Sequence, residues 1–376
     1  MCAYICKNEL SNEIKQGLAY DPKMMQDLPP EIITDILLRL PLESIAACKC
    51  VCKPWLNVIE TDDFVKSHLS KSAPALAVSE GAQRFNVFKL EDEHDLVYEQ
   101  EHDPIIKFDF PRVSRICVSV NGLLLLKDYF VNHLYVCNPV TREFIELREP
   151  HDLPWGDCYG FGVGKISGKH KVVRLHPKSG CHVYTLETGS SWRRVETPPS
   201  FSDWYSYDSA FVNGNIHWIV SDKKHHIWCF DVETECFSIF SAPIEAITGK
   251  LYTLGDCLCF YDVEGLEEDN VIWLLKEYEQ VEKRWTMVDI ILQEEAFHGI
   301  VAFNYFHPIK LYTNGDRLLL WNEKRFKYYC DKERTVREIG WFGELEDDGE
   351  HIICITLTPS FLSLKRNLGM ENVMSF

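Results

Sequence analysis

The chain has 376 residues, 57 acidic and 39 basic side chains, a formal net charge of −18 and 46% apolar content. That apolar share supports a substantial core and excludes wholesale disorder, and the length exceeds one typical domain, so two folding units are expected. The acidic balance repels phosphate backbones and argues against nucleic-acid binding.

Residues 1–25 balance three acids with three bases and lack an apolar signal core, so they read as a mobile N-terminal tail. Cys2 stands where myristoylation needs glycine, and Val373-Met374-Ser375-Phe376 is not a prenylation box. No apolar run approaches the roughly 18 residues of a membrane span, so no membrane partner is expected. The fifteen cysteines form an odd set in a chain too long to need staples, and no Asn-x-Ser/Thr acceptor occurs. Free, mostly buried thiols and a cytoplasmic or nuclear location are expected.

Residues 26–71 carry a helical code. Pro30 suits a first helical position, Glu31 and Asp35 favour the dipole, and Ile32, Ile33, Ile36, Leu37 and Leu40 fall on one apolar stripe. Pro41 ends that helix. A second helix from about Leu42 carries Ile45, Ala46 and Val51. Pro54 opens a third, with Trp55 and Ile59 one turn apart. Thr61 or Asp62 caps a fourth, which carries Phe64, Val65 and Leu69. About forty residues are too few for a comfortable core of their own, so packing on the rest of the chain is one reading and a docking module the other.

The run Leu28-Pro29-x-Glu31, Leu37-x-Arg39-Leu40-Pro41 and Val51-Cys52-Lys53-x-Trp55 closely resembles the F-box. The resemblance implies docking on the small adapter subunit of a cullin–RING ubiquitin ligase. It assigns Leu28, Pro29, Ile33, Leu37, Leu40, Pro41, Leu42, Ile45, Val51 and Trp55 to the adapter-facing and motif-core set. Glu43 departs from the basic residue common in plant members.

From Ala73 the code changes to alternating β-branched and aromatic runs between turn signals. Asn121-Gly122, Asn213-Gly214 and Asn314-Gly315 are hairpin signals. Each precedes an Asx-type turn at Asn138, Asp231 or Asp331. The regular offset suggests a repeated four-strand unit, and a period of roughly 40–50 residues is the signature of a β-propeller. Blades are expected at 105–150, 157–199, 205–243, 250–292 and 299–341. Ala75–Val78 and Phe85–Leu90, with Ile352–Leu357 and Phe361–Leu364, would make a sixth that closes the ring. The expected fold class is therefore α+β multidomain: a small helical unit at 26–71, an all-β propeller of six blades at 73–365, and a C-terminal tail at 366–376.

Cys137-Asn138-Pro139-Val140-Thr141-Arg142-Glu143-Phe144, Tyr159-Gly160-Phe161-Gly162 and Asn213-Gly214-Asn215-Ile216-His217-Trp218 resemble the F-box-associated, kelch-like domain of plant F-box proteins. That resemblance implies a substrate-recognition module.

No catalytic constellation stands out. Gly160-Phe161-Gly162-Val163-Gly164 runs into a strand rather than a helix, unlike a dinucleotide loop. His217 and His225-His226 have no nucleophile or carboxylate at a telling spacing. Cys48, Cys50 and Cys52 lack the Cys-x-x-Cys pairing of zinc knuckles, and no metal or cofactor is expected. The expected function is a non-catalytic substrate receptor of an SCF-type ligase, with the adapter, through it a cullin, and a target protein as partners. Two rivals are an adapter-bound scaffold or inhibitor that does not promote degradation and a propeller enzyme. For the target face, strand alternation puts the Asn-Gly turns on one side of the disc and the longer connections on the other. Tyr129, Trp155, Trp204 and Tyr205 in those connections are the candidate target-binding residues.

Overall fold

The computed structural model describes residues 28–80, 83–90, 100–101, 103–110, 115–128, 133–148, 157–197, 209–220, 226–243, 249–262, 270–278, 284–290, 307–312, 317–322, 325–330, 335–341 and 353–376. The tail expected at 1–25 lies outside them.

Four short helices come first: α1 (Pro30–Leu37), α2 (Leu42–Cys48), α3 (Lys53–Ile59) and α4 (Asp62–Lys71). Their starts follow the code. Prolines occupy the first turns of α1 and α3, and Thr61 Oγ1 caps α4 by accepting from Phe64 N at 3.2 Å. Each helix is only two or three turns long, so it buries a narrow stripe. Ile33 and Leu37 enter the core from α1, Ile45 from α2, Trp55 and Ile59 from α3, and Phe64 and Val65 from α4. The broad stripe expected on α1 is corrected here. Ile32 lies on its flank at 48% exposure, and Val51, past the end of α2, is 53% exposed.

The rest is a β-propeller. Among the described residues the strands pair into six sheets. The first joins β1 (Ala75–Glu80), β2 (Arg84–Lys89) and β4 (Ile106–Asp109) to β25 (Ile353–Leu357). The second is β5 (Arg115–Val120), β6 (Leu123–Asp128), β7 (His133–Asn138) and β8 (Glu143–Leu147). The third is β9 (Cys158–Val163), β10 (His170–His176), β11 (Gly180–Thr185) and β12 (Arg193–Val195). The fourth is β13 (Ala210–Val212), β14 (Asn215–Val220), β15 (His226–Asp231) and β16 (Phe237–Ser241). The fifth is β17 (Gly249–Leu254), β18 (Cys257–Asp262), β19 (Asn270–Leu275) and β20 (Thr286–Ile290). The sixth is β21 (His307–Leu311), β22 (Arg317–Asn322), β23 (Arg325–Cys330) and β24 (Thr335–Trp341). Two short strands cover outer edges: β3 (Gln100–Glu101) runs parallel to β24, and β26 (Met374–Ser375) pairs with β8. Covered edges are protected from pairing with other chains.

The first and last strands share a sheet, with Ala75 opposite Leu357 and Ser79 opposite Ile353. Three expectations about the ends are corrected. Ile106–Asp109 does not open the unit expected at 105–150; it is the outer strand of the first sheet, where Phe108 lies opposite Phe85 with ring centroids 5.0 Å apart. Phe361–Leu364 is not a strand. Its amides are met by side chains instead of a ladder: Leu362 N donates to Ser360 Oγ, Ser363 N to Asn367 Oδ1 and Leu364 N to Glu143 Oε2. With its backbone satisfied this way, an irregular segment tolerates burial. Residues 366–376 are not a free tail either, because Phe376 packs on Phe108, Phe110 and Phe144.

The turn chemistry follows the sequence. Asn121 and Gly122 both have positive φ, as do Asn213 and Gly214. Asn314-Gly315 and the turn at Asp331 lie outside the described residues. Gly160 and Gly162 sit inside β9, where a Cβ would meet Trp218 and Ile216 at 2.5 Å, or Val232 at 2.7 Å and Phe211 at 2.8 Å. These glycines let adjoining sheets approach and form no phosphate loop.

Candidate functional site

The first candidate surface is the helical unit. The ten residues expected there separate by burial. Ile33, Leu37, Ile45 and Trp55 are core. Leu28, Leu40 and Leu42 are half-buried against that core. Pro29, Pro41 and Val51 are exposed. Exposed Ile32 joins this apolar rim, although its spacing had placed it on the buried stripe. Periodicity names a face but not its rotation, so it does not separate core from contact residues.

The second feature is the junction between helices and propeller, which the sequence did not reveal. Asn138 at the end of β7 is fully buried. Its Nδ2 donates to Ser360 O at 2.9 Å and Leu362 O at 2.7 Å, while Oδ1 accepts from Val140 N at 2.9 Å. Glu143 accepts from Ser363 Oγ at 2.9 Å and Leu364 N at 2.7 Å. The segment so held presents Phe361 to the helices. Its ring meets His68 edge-on at 5.0 Å and Phe64 at 6.4 Å, and Lys49 Nζ sits 5.1 Å from its centroid. Burial pushes the Lys49 ammonium down, while Glu60 and Glu143 pull it back. Asn367 Nδ2 donates to Asp62 Oδ1 at 2.6 Å, and Arg366 pairs with Glu60. One apolar cluster runs through Ile59, Phe64, Phe361, Leu364 and Val120 without a break.

The sequence carries one signal of this junction. The repeated turn carries asparagine at 138 and aspartate at 231. Asp231 only accepts, from Glu233 N and Thr234 N at 2.8 Å each. Position 138 must also donate to two carbonyls, which a carboxylate cannot do.

The helices dock on the side of the Asn121-Gly122 turn, where a Gly122 Cβ would meet Ser360 Cβ at 2.6 Å. The antiparallel pairing of β5 to β8 then sets the β6–β7 and β8–β9 connections on the opposite side. Tyr129, Trp155, Trp204 and Tyr205 lie outside the described residues.

His217 is buried, with Nδ1 3.1 Å from Ala210 O and Nε2 2.6 Å from Tyr278 OH, which in turn lies 3.2 Å from Cys229 Sγ. Burial pushes the Tyr278 phenol up, so it stays neutral. His225 lies outside the described residues. Of the thirteen described cysteines seven are buried and two, Cys50 and Cys236, are exposed. Burial raises the thiols of Cys137, Cys158, Cys181 and Cys354. Among the described residues no helix is long and apolar enough to cross a membrane.

Residues 75–355 match the family described as F-box associated beta propeller domain, and residues 25–67 match the F-box domain. The chain belongs to this family of F-box proteins. Similar members come from Arabidopsis thaliana. F-box protein CPR1 is 27% identical over 79% of this chain and 80% of its own length. F-box protein At5g65850 is 29% identical over 74% of each. F-box protein At5g18160 is 31% identical over 67% of this chain and 70% of its own. The exposed apolar rim thus belongs to an F-box, and the junction joins that F-box to its propeller.

Proposed function

We propose that this chain is the substrate-recognition subunit of an SCF-type cullin–RING ubiquitin ligase. The F-box rim holds the adapter, and the propeller holds a target protein. The observation that carries this reading is the apolar rim of Pro29, Ile32, Pro41 and Val51 beside a closed core. Such a rim is costly to leave in water and suits a helical partner. The chain itself does no covalent chemistry. It raises the effective concentration of target lysines near the transferring enzyme.

The target face is the side away from the F-box, with Tyr129, Trp155, Trp204 and Tyr205 as its anchors. The six sheets act as six blades of one ring, closed by β1 against β25. The complex works in the cytoplasm or nucleus.

Co-purification of the adapter tests the reading. Leu40→Ala with Pro41→Ala, and separately Ile32→Asp, should abolish capture and leave the propeller folded. Stoichiometric capture by both variants would overturn it. Trp204→Ala with Tyr205→Ala should instead stabilise the target in cells and leave adapter capture unchanged.

A further inference from the structure

The outer edge of the second sheet is occupied by residues of the same chain. β26 pairs antiparallel with β8, Met374 opposite Phe144 and Ser375 opposite Glu143, and Phe376 N donates to Arg142 O at 3.3 Å. The Phe376 ring enters an aromatic seat between the first and second sheets. Its centroid lies 5.0 Å from that of Phe108, 5.6 Å from Phe110 and 6.1 Å from Phe144. The rings of the seat also hold one another: Phe110 meets Phe144 at 4.9 Å and Tyr135 at 5.3 Å, both edge-on.

The hold of this strap is short. β26 covers only Glu143 and Phe144 of the five residues of β8. Met374 is 42% exposed, and Ser375 is exposed. Asn372 has φ 57, far from extended backbone, so the chain leaves the edge before it reaches Glu146. The register set by Met374 and Phe144 would place a residue at position 372 opposite Glu146 if the strand stayed extended. Residues two apart on a strand share a face, so Glu146 stands on the face of Phe144 and the aromatic seat. Its carboxylate lies 3.3 Å from His133 Nδ1, with 28% of the side chain open to solvent.

We propose that this edge docks an extended segment of a partner protein with the pattern basic-x-apolar-x-aromatic, and that residues 373–376 form a strap which the segment displaces. The strap itself shows the last three places of the pattern in Met374, Ser375 and Phe376. The partner's aromatic takes the seat of Phe376, and its apolar residue lies opposite Phe144. Its basic residue, two places earlier, lies opposite Glu146, where opposite charges across a strand pair are favourable. Main-chain pairing supplies affinity in this mode, and the alternate side chains supply specificity. The strap competes from within the same chain, at high effective concentration, so the segment must win by added contacts. Extension past the point where Asn372 turns away provides them. The formal charge of −18 also draws a basic segment to this chain. None of these residues belongs to the F-box, so the site does not rest on the ligase reading.

Fluorescence anisotropy on the full chain tests the site. The probe is a fluorescein-labelled Lys-Val-Met-Ser-Phe amide, the sequence of 372–376 with lysine in the place of asparagine. Wild-type protein should bind it saturably. Phe376→Ala empties the seat and should tighten binding about tenfold or more, the worth of burying one large apolar side chain. Met374→Pro leaves that ring in the chain and removes one strand N–H, so it weakens the strap independently and should also tighten binding. A probe ending in alanine should bind at least tenfold more weakly. Glu146→Gln should weaken the lysine probe about threefold, as loss of a half-exposed ion pair does, and leave a probe with asparagine in that place unchanged. Adapter capture should be the same in every variant, which separates failure of this site from failure of the ligase reading. Equal affinity in wild type and both strap variants, or indifference to the probe's phenylalanine, would overturn the proposal. So would binding by the strap variants alone, because the segment then fails to displace the strap.

Discussion

Asn138→Asp probes the junction with almost no change of shape. The wild-type amide donates to Ser360 O and Leu362 O from a fully buried position. A carboxylate there would face both carbonyls with no proton, so the acid takes up a proton on folding and its pKa rises above the ordinary value of about 3.9. Staying protonated costs about 1.4 kcal/mol per pH unit above that value, roughly 4 kcal/mol at pH 7 and 1.5 at pH 5. The protonated acid donates once instead of twice, which removes one hydrogen bond worth about 1 kcal/mol. The expected loss is therefore roughly 5 kcal/mol at pH 7 and 2.5 at pH 5. The native state binds the extra proton, so relative stability falls as pH rises from about 3.9 towards the raised native pKa. Urea unfolding of variant and wild type at both pH values reads the difference. Asp231→Asn is the control, because its oxygen keeps both acceptor roles, and it should cost only about 1 kcal/mol. Equal losses for Asn138→Asp at pH 5 and pH 7 would refute the assigned bonding.

Two further changes test the parts on either side. Trp55→Ala empties the centre of the F-box and should cost roughly 3–5 kcal/mol, unfolding the helices, as read by helical circular dichroism and loss of adapter capture. Truncation after residue 350 removes β25, exposes the edge of β1 and should give insoluble protein; a soluble fragment with a cooperative melt would count against closure by β25.

Much of this architecture was legible because its signals are local. Proline positions and the Thr61 cap announce α1, α3 and α4. Asn-Gly pairs announce the hairpins, since both residues must take positive φ. The four-strand units near 157–199, 205–243, 250–292 and 299–341 coincide with the third to sixth sheets. What stayed hidden depends on long-range partners. Ile106–Asp109 looks like any strand, and only its pairing with β2 assigns it to the first sheet. Phe361–Leu364 alternates like a strand, yet its amides go to Ser360, Asn367 and Glu143.

The junction also bears on the proposed ligase role. The F-box is tied to the propeller twice: by the short connection from α4 to β1, and by the packed segment around Phe361 and Asn367. The connection fixes only a length, whereas the packed segment fixes orientation. Inserting six Gly-Ser residues after Ser72 should therefore leave the F-box in place, because lengthening a loop costs only about 0.6 kcal/mol per doubling. Phe361→Ala with Asn367→Ala removes the ring against Phe64 and His68 and the bond to Asp62. Truncating the buried ring alone costs roughly 3–5 kcal/mol, enough to free the module. Fluorescence energy transfer between labels on α4 and β16 should stay at the wild-type distance with the insertion and broaden with the double variant. Broadening with the insertion alone would show that the covalent connection sets the geometry. A fixed geometry matters because effective concentration at the reacting lysine depends on orientation as well as reach. A brace holding the F-box against the turn side aims the opposite side at one place relative to the adapter.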